Sequence, residues 1–480
     1  MIFRVASLLL SLAVDLQAAG PNIMMQTSAA TPPAPASAGL LNDWLREQSS
    51  GWTNWDMGGQ LRARFEHKEH VTVIGTSGAV DFRDVNNNDN TYFLLREKIH
   101  MGYTPFSWAT AYVEGRDASA FNDRRNPSPD IDHADLYQAY LRAGDLNQFP
   151  LELKIGRQEL AYGDERLIGT SGWSNLERIF DAARLRYQMG SLRVDLFSGN
   201  VVLADKSHFD EPNRHDWFSG VYVTSGICPS QTTEAYLLSR NVDAHSVNEI
   251  TTTTPLGGAT ARDVYTIGAR MKSLPNQFGP WDYECEAAGQ WGNFALTPGG
   301  TRLEHRAFAA HALAGYTLQE AIGAPRIVLE YNYASGDSST NDNRHETFDN
   351  LFPTNHKFYG FMDFFSWQNM HEVRLGSSIK PWKKFSISLD YHAFWLADTH
   401  DYFYQVNGTP RRTGGYGIHP DAGSYAGSEV DLVGTVAVTT SLNAQIGYGH
   451  FFVGDYVKNS LGSSATADSN FVYAQILFSF

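Results

Sequence analysis

From Trp55 onward the chain alternates apolar and polar residues, the period-two pattern of strands whose two faces meet different surroundings. On 383–396, Phe385, Ile387, Leu389, Tyr391, Ala393 and Trp395 share one face, and Ser386, Ser388, Asp390 and His392 the other. On 107–117, Ala109, Ala111 and Val113 oppose Glu114 and Arg116. Candidate strands fall near 55–67, 91–104, 107–117, 133–143, 150–159, 178–188, 191–200, 217–225, 231–240, 262–272, 281–293, 303–317, 325–335, 367–380, 383–396, 427–438, 441–453 and 470–480. They number about eighteen, an even count. In the second of them Glu97 falls among Phe93, Leu95, Ile99 and Met101, which predicts a bulge or a shifted register.

The connections alternate too. Thr104 to Ser107, Gly144 to Pro150, Met189-Gly190, Lys380 to Lys383 and Thr439-Thr440 are short, whereas 68–90, 118–132, 160–177, 241–261, 336–366, 397–426 and 454–469 are long. Short periplasmic turns and long extracellular loops produce this rhythm in outer-membrane barrels, and neither a propeller nor a sandwich gives a reason for it. A mean hydropathy of −0.33 and the lack of a long apolar run after the N-terminus argue against spanning helices, so a membrane crossing here needs a closed sheet. The fold expected is all-β: a transmembrane antiparallel β-barrel of about 18 strands over 55–480. Forty-two Gly, 23 Tyr, 28 Phe and 11 Trp suit its turns and aromatic belts.

Ahead of the barrel, Arg4, the apolar run Val5 to Val14 and Ala18-Ala19 lay out residues 1–19 as a signal peptide, with Asp15 interrupting the pattern. Residues 20–54 read as a Pro/Ala-rich periplasmic linker, in which 40–48 forms either a short amphipathic helix or an ordered tail. Two cysteines, Cys228 in a turn and Cys285 in a strand, do not build the fold. A net charge of −15 argues against nucleic acid as a partner but not against anion transport, because acidic outer loops can coexist with a basic lumen. Phe480, with Val472, Ala474, Ile476 and Phe478 on one face, looks like the terminal assembly signal read by the barrel-assembly machinery.

Motif chemistry points away from an enzyme. His345-Glu346 and His371-Glu372 lack a second histidine at zinc spacing, no cysteine pair has metal spacing, and no cofactor is expected. Gly336-Asp337-Ser338 resembles an esterase nucleophile block or simply opens a long loop. Asp84 to Asn90 offers either oxygen ligands for calcium or a solvated turn. The informative set is the bases facing inward: Arg62, Arg64, Arg96, Lys98, Arg116, Arg142, Lys154, Arg184, Arg186 and Arg193, with Arg178 expected on the same strand face as Arg184 and Arg186. Two accounts are open. The bases pair with Glu114, Asp195, Glu330, Glu372, Asp390, Glu429 and Asp431 across the lumen, or they form a ladder that replaces water around a moving carboxylate. Tyr140, Tyr162 and Trp173 stack on sugar rings or pack a folded-in loop.

Gly156-Arg157-Gln158-Glu159-Leu160, Tyr162-Gly163, Arg166-Leu167-Ile168-Gly169, Trp173, Asn175, Arg178, Phe180-Asp181 and Arg184 resemble the signature of the alginate-export family, as does Phe348-Asp349-Asn350-Leu351-Phe352-Pro353-Thr354 through Tyr359-Gly360. The resemblance implies a Gram-negative outer-membrane barrel that passes anionic carbohydrate or organic anions through an arginine-lined pore. It implies outer-membrane lipid and periplasmic export components as partners. It gives Arg157, Arg166, Arg178 and Arg184 pore or loop-anchoring roles, with Asp181 holding one of these arginines. The family's periplasmic plug near the last strands has only the turn Thr439 to Ser441 as its counterpart, so neither that gating nor alginate itself follows from the resemblance. A broader porin for small organic anions is the alternative within transport; an outer-membrane esterase or a structural barrel are those outside it.

Overall fold

The computed structural model describes residues 39–72, 80–84, 88–249, 251, 258–411, 417–462 and 464–480. Residues 1–19, most of the linker, 85–87 of the Asp/Asn-rich loop and Thr252 lie outside the described residues. Among the described residues the strands are β1 (Trp55–Glu69), β2 (Asn90–Phe106), β3 (Ala109–Phe121), β4 (Asp132–Ala143), β5 (Leu151–Gln158), β6 (Phe180–Met189), β7 (Leu192–Leu203), β8 (Glu211–Ser225), β9 (Gln231–Val242), β10 (Arg262–Ser273), β11 (Trp281–Ala295), β12 (Arg302–Thr317), β13 (Arg326–Ala334), β14 (Arg344–His345), β15 (Met370–Trp382), β16 (Phe385–Leu396), β17 (Tyr425–Ala437), β18 (Leu442–Val453) and β19 (Ser469–Ser479). Each pairs antiparallel with the next, except that two-residue β14 lies beside β12 and β13 pairs directly with β15. β1 then pairs with β19 from Gln60↔Ser479 to Glu69↔Asn470, so eighteen strands close a ring. Closure satisfies the backbone polar groups that hydrocarbon would leave bare.

The two strand faces separate as the alternation requires. Ile99, Leu141, Leu329 and Ile446 are each at least half exposed on the outer wall, while Arg64, Glu66, Asp195, Glu372 and Glu429 are buried inside. Aromatic residues such as Tyr103, Phe106, Trp108, Trp281 and Trp382 stand exposed near the short-turn rim, where a membrane interface belt belongs. Around Glu97 the expected bulge is not found. β2 alternates without interruption from Asn90 to Tyr103, and Glu97 faces outward, opposite Leu61 on β1 and Asp117 on β3. The irregularities lie instead at Tyr103/Phe106 and where β3 meets β4 near Arg116.

Leu40–Gln48 forms a helix, α1, at the periplasmic end of β1. Its Asn42 donates to Asp56 at 2.6 Å and accepts from the Met57 amide at 2.7 Å, which fixes the helix against the entry of the first strand.

Candidate transport lumen

Two long loops turn inward instead of standing over the barrel. Residues 159–179, between β5 and β6, meet residues 335–369, between β13 and β15, and the two run side by side as a parallel bridge at Ile168 and Phe352. Gly169 donates to the Phe352 carbonyl at 2.8 Å, Phe352 to Leu167 at 3.0 Å and Thr354 to Glu165 at 2.9 Å. The Thr354 hydroxyl reaches the Glu165 carboxylate at 2.7 Å and accepts from Ser171 at 2.9 Å. Around this seam Leu167, Ile168, Leu351, Phe352, Phe358 and Trp367 are buried in an apolar core inside the barrel. These are the two stretches that carry the family resemblance, and together they form a plug.

Many of the expected inward bases hold this plug. Arg62 donates to the carbonyls of Gly172 and Ser174 at 2.8 and 3.0 Å, and Arg64 lies 3.8 Å over the Trp173 ring while paired with Glu66 at 2.7 Å. Arg96, at 2.9 Å, and Lys98 both pair with Glu177. Burial alone would raise the Glu177 carboxyl, but the two cations outweigh it and hold the group down at about 2. Arg166 crosses to the far wall, where it pairs with Glu330 at 2.7 Å, donates to Asn332 at 3.1 Å and Tyr359 at 3.3 Å, and stacks 3.9 Å from Phe358.

Arg178 differs from its expected place. The strand begins at Phe180, because the Arg178 amide bonds Thr170 within the loop at 2.6 Å. Its guanidinium therefore leaves the Arg184 face and ties the carbonyls of Gly169 and Pro353, each at 2.8 Å, across the seam. Burial, with Arg240 close by, lowers it to about 10. Likewise the strand expected from 367 starts at Met370, and Trp367 belongs to the plug. Trp173 packs against His356 at 4.0 Å and Tyr473 at 4.9 Å, the arrangement of a folded-in loop.

Toward the extracellular rim, Arg116 pairs with Asp132 at 2.6 Å. Arg157 pairs with Asp181 at 2.8 Å and donates to the carbonyls of Leu136 and Asp210, so Asp181 does hold an arginine.

Toward the periplasmic mouth the lumen opens. One wall, β4 to β7, carries Arg142, Lys154, Arg184, Arg186 and Arg193. Glu152 takes Arg184 at 2.9 Å and Arg142 at 3.5 Å, and Asp195 takes Arg186 at 2.7 Å. Arg193 donates to Thr224 at 3.1 Å, and the Lys154 ammonium sits 3.6 Å over the Tyr140 ring, itself stacked 4.9 Å from Tyr112. Among the described residues neither Arg193 nor Lys154 is in an ion pair. Opposite, a cavity of about 740 Å³ rises from the short turns to a roof made by Arg166, Lys357 and Phe358, with Lys272, Glu284 and Arg374 on its sides.

Arg270, Arg374 and Glu177 also charge the lumen, though no motif in the sequence marks them. Arg270 ties Glu234 at 2.5 Å and Glu284 at 2.8 Å, and Arg374 ties Glu330 at 2.7 Å and Asp390 at 2.8 Å. The period-two pattern of their strands contains both arginines. Glu177 carries no such signal, because it lies in a loop.

A closed eighteen-strand sheet with an apolar outer wall and a charged, loop-constricted lumen defines an outer-membrane channel for solutes. The alginate-export family matches residues 53–470, and the chain belongs to that family. Among solved structures it is similar to Pseudomonas aeruginosa OpdQ, at 11% identity and a TM-score of 0.56 over 89% of this chain and 98% of that one. It is also similar to Pseudomonas aeruginosa OccK3 (OpdO), at 13% identity and 0.54 over 88% and 96%, and to OccD3 (OpdP) of the same organism, at 12% and 0.53 over 88% and 91%. At such identities the likeness is one of fold. No curated protein matches in sequence.

Proposed function

We propose that the channel selects anionic solutes, with acidic carbohydrate as its cargo, and that passage is passive and involves no chemical step. The observation that carries this reading lies on the β4–β7 wall, where Arg193 and Lys154 face the lumen without a close ion pair among the described residues, Asp195 and Glu152 acting on them only at longer range. These two bases stand beside Arg142, Arg184 and Arg186, so that five bases share one wall with Glu152 and Asp195. A carboxylate can move along such a series of fixed charges without being trapped. Carbohydrate as the cargo rests on the family and not on these rings, since Tyr140 is covered by Lys154 and Tyr112, and Tyr112 also stacks on His100. Direction would follow the gradient or periplasmic partners.

The test is the reversal potential of the purified barrel in a salt gradient. Lys154→Glu with Arg193→Glu moves the local charge by two units at each site and is expected to shift selectivity toward cations. One unit charge at about 4 Å and an effective dielectric near 20 is worth roughly 4 kcal/mol, less where water screens it. A folded double variant with an unchanged reversal potential overturns the reading. Reversing Arg184 or Arg186 is a poorer probe, since each would set like charges against Glu152 or Asp195.

The plug favours a second reading, small organic anions, because it leaves room of limited volume. Current block that grows with the length of an acidic oligosaccharide separates carbohydrate from small-anion traffic.

A further inference from the structure

At the extracellular rim, where β8 begins and β9 ends, His215, Asp243 and His245 bring one donor atom each to within 4.8 Å of one another. His215 Nδ1 lies 2.8 Å from one oxygen of the Asp243 carboxylate, and His245 Nδ1 lies 3.1 Å from the other. The backbone fixes this geometry. Asp243 donates its amide to the His215 carbonyl at 3.0 Å, and its carboxylate caps the short helical turn Ala244–Asn248 through the His245 amide at 2.7 Å. Two imidazoles and a carboxylate held by two separate segments are a donor set for a borderline divalent cation, not for calcium or magnesium, which take oxygen.

A second observation concerns the far side of the His215 ring. Its Nε2 lies 3.5 Å from the Glu249 carboxylate, so a carboxylate faces each ring nitrogen. A neutral imidazole has only one proton, and whichever nitrogen lacks it would turn a lone pair toward an anion. A cation at Nδ1 with the proton on Nε2 resolves both contacts, and this is the carboxylate–histidine–metal arrangement in which an outer carboxylate orients a ligand. A second proton on the ring is the competing solution.

We propose that His215 Nδ1, His245 Nδ1 and the Asp243 carboxylate bind a divalent transition metal of the zinc class, with Glu249 as the positioning residue for His215. The remaining coordination sites face solvent, since His245 and Asp243 are exposed. The metal ties the root of the β9–β10 loop to the start of β8. Sequence gives no hint of the site, because the two histidines are far apart in the chain and meet only through strand pairing.

Calorimetric titration of zinc into the untagged, chelator-treated barrel in detergent tests this, with heat-modifiable gel mobility as the check on folding. The expected result is a zinc site whose affinity falls at least about tenfold in His215→Ala and in His245→Ala, and about tenfold in Glu249→Gln. Cobalt should give a visible absorption band that the same variants lose, and calcium should not compete. Unchanged zinc affinity in folded His215→Ala/His245→Ala overturns the proposal. So does a folded wild-type barrel that binds no zinc.

Discussion

Arg166 starts in one loop and reaches the opposite wall, bonding Glu330, Asn332 and Tyr359 while a phenylalanine ring covers its face. Removing one partner of a buried pair costs about 3–5 kcal/mol, because the charge left behind is desolvated. In Arg166→Ala that loss is lessened by Arg374, which keeps Glu330 at 2.7 Å, so the damage should fall on the plug and not on the barrel. The expected outcome is a larger single-channel conductance with heat-modifiable mobility intact; wild-type conductance would mean that the seam holds without this residue. Glu177 gives the plug a response to acid. Its folded-state value, about 2, lies below the unfolded carboxyl value of 4.5. Its contribution is therefore complete above about pH 4.5 and is lost as pH falls toward 2, for a total of about 3 kcal/mol. Conductance should rise as pH drops through that window in the native barrel. The rise should be absent in Glu177→Gln, whose plug has already lost the ion pairs to Arg96 and Lys98.

The plug also hangs from the strand on its other side. Phe361 and Met362 donate their amides to Asp431 at 3.2 Å and Glu429 at 2.8 Å, both on β17 and both fully buried. Replacing both acids with alanine should free residues 358–363, seen as faster protease cleavage there and noisier current, whereas Gln and Asn, which still accept hydrogen bonds, should preserve the native trace. Elements of this kind were only half legible in the sequence. Strands could be read because lipid and lumen differ so sharply that each side chain reports its face, as on β16. Glu97 misled because a carboxylate on the outer wall breaks the contrast without moving the backbone. The joining of Leu167 to Phe352 left no periodic trace, since loop contacts between distant segments follow no repeat. The family resemblance marked both stretches without saying that they touch. Arg178 shows the same limit, for in the sequence it shares parity with Arg184 and Arg186 although its amide has turned to Thr170.

Across the whole molecule the outer wall sets which charges can be tolerated. An arginine at the lipid-facing midplane costs about 2–4 kcal/mol, so Ile99→Arg should lower unfolding midpoints in lipid vesicles, while Glu97→Leu should raise them. Equal midpoints for native and Glu97→Leu barrels would show that the Glu97 and Asp117 carboxylates are not in hydrocarbon. Closure is equally exacting. Gly59 and Phe480 exchange amide-to-carbonyl bonds at 3.0 Å, and a Cβ on Gly59 would come within 2.5 Å of the Phe480 ring and of the Lys98 carbonyl. Gly59→Leu and Phe480→Asp should both reduce the fraction of heat-modifiable barrel; full yield from either would place the decisive contact elsewhere in the β1–β19 seam. A sheet joined to itself has no first strand in the folded state, so chain order is a matter of assembly and not of stability. A circular permutant linked through residue 480 to α1 and opened between Gly190 and Ser191 keeps every rung of the sheet. It should refold in detergent to the same ring, yet it would present β6 instead of β19 as its last strand to whatever inserts it in the cell. Comparing its refolding with its insertion would separate the information that makes the barrel from the information that delivers it.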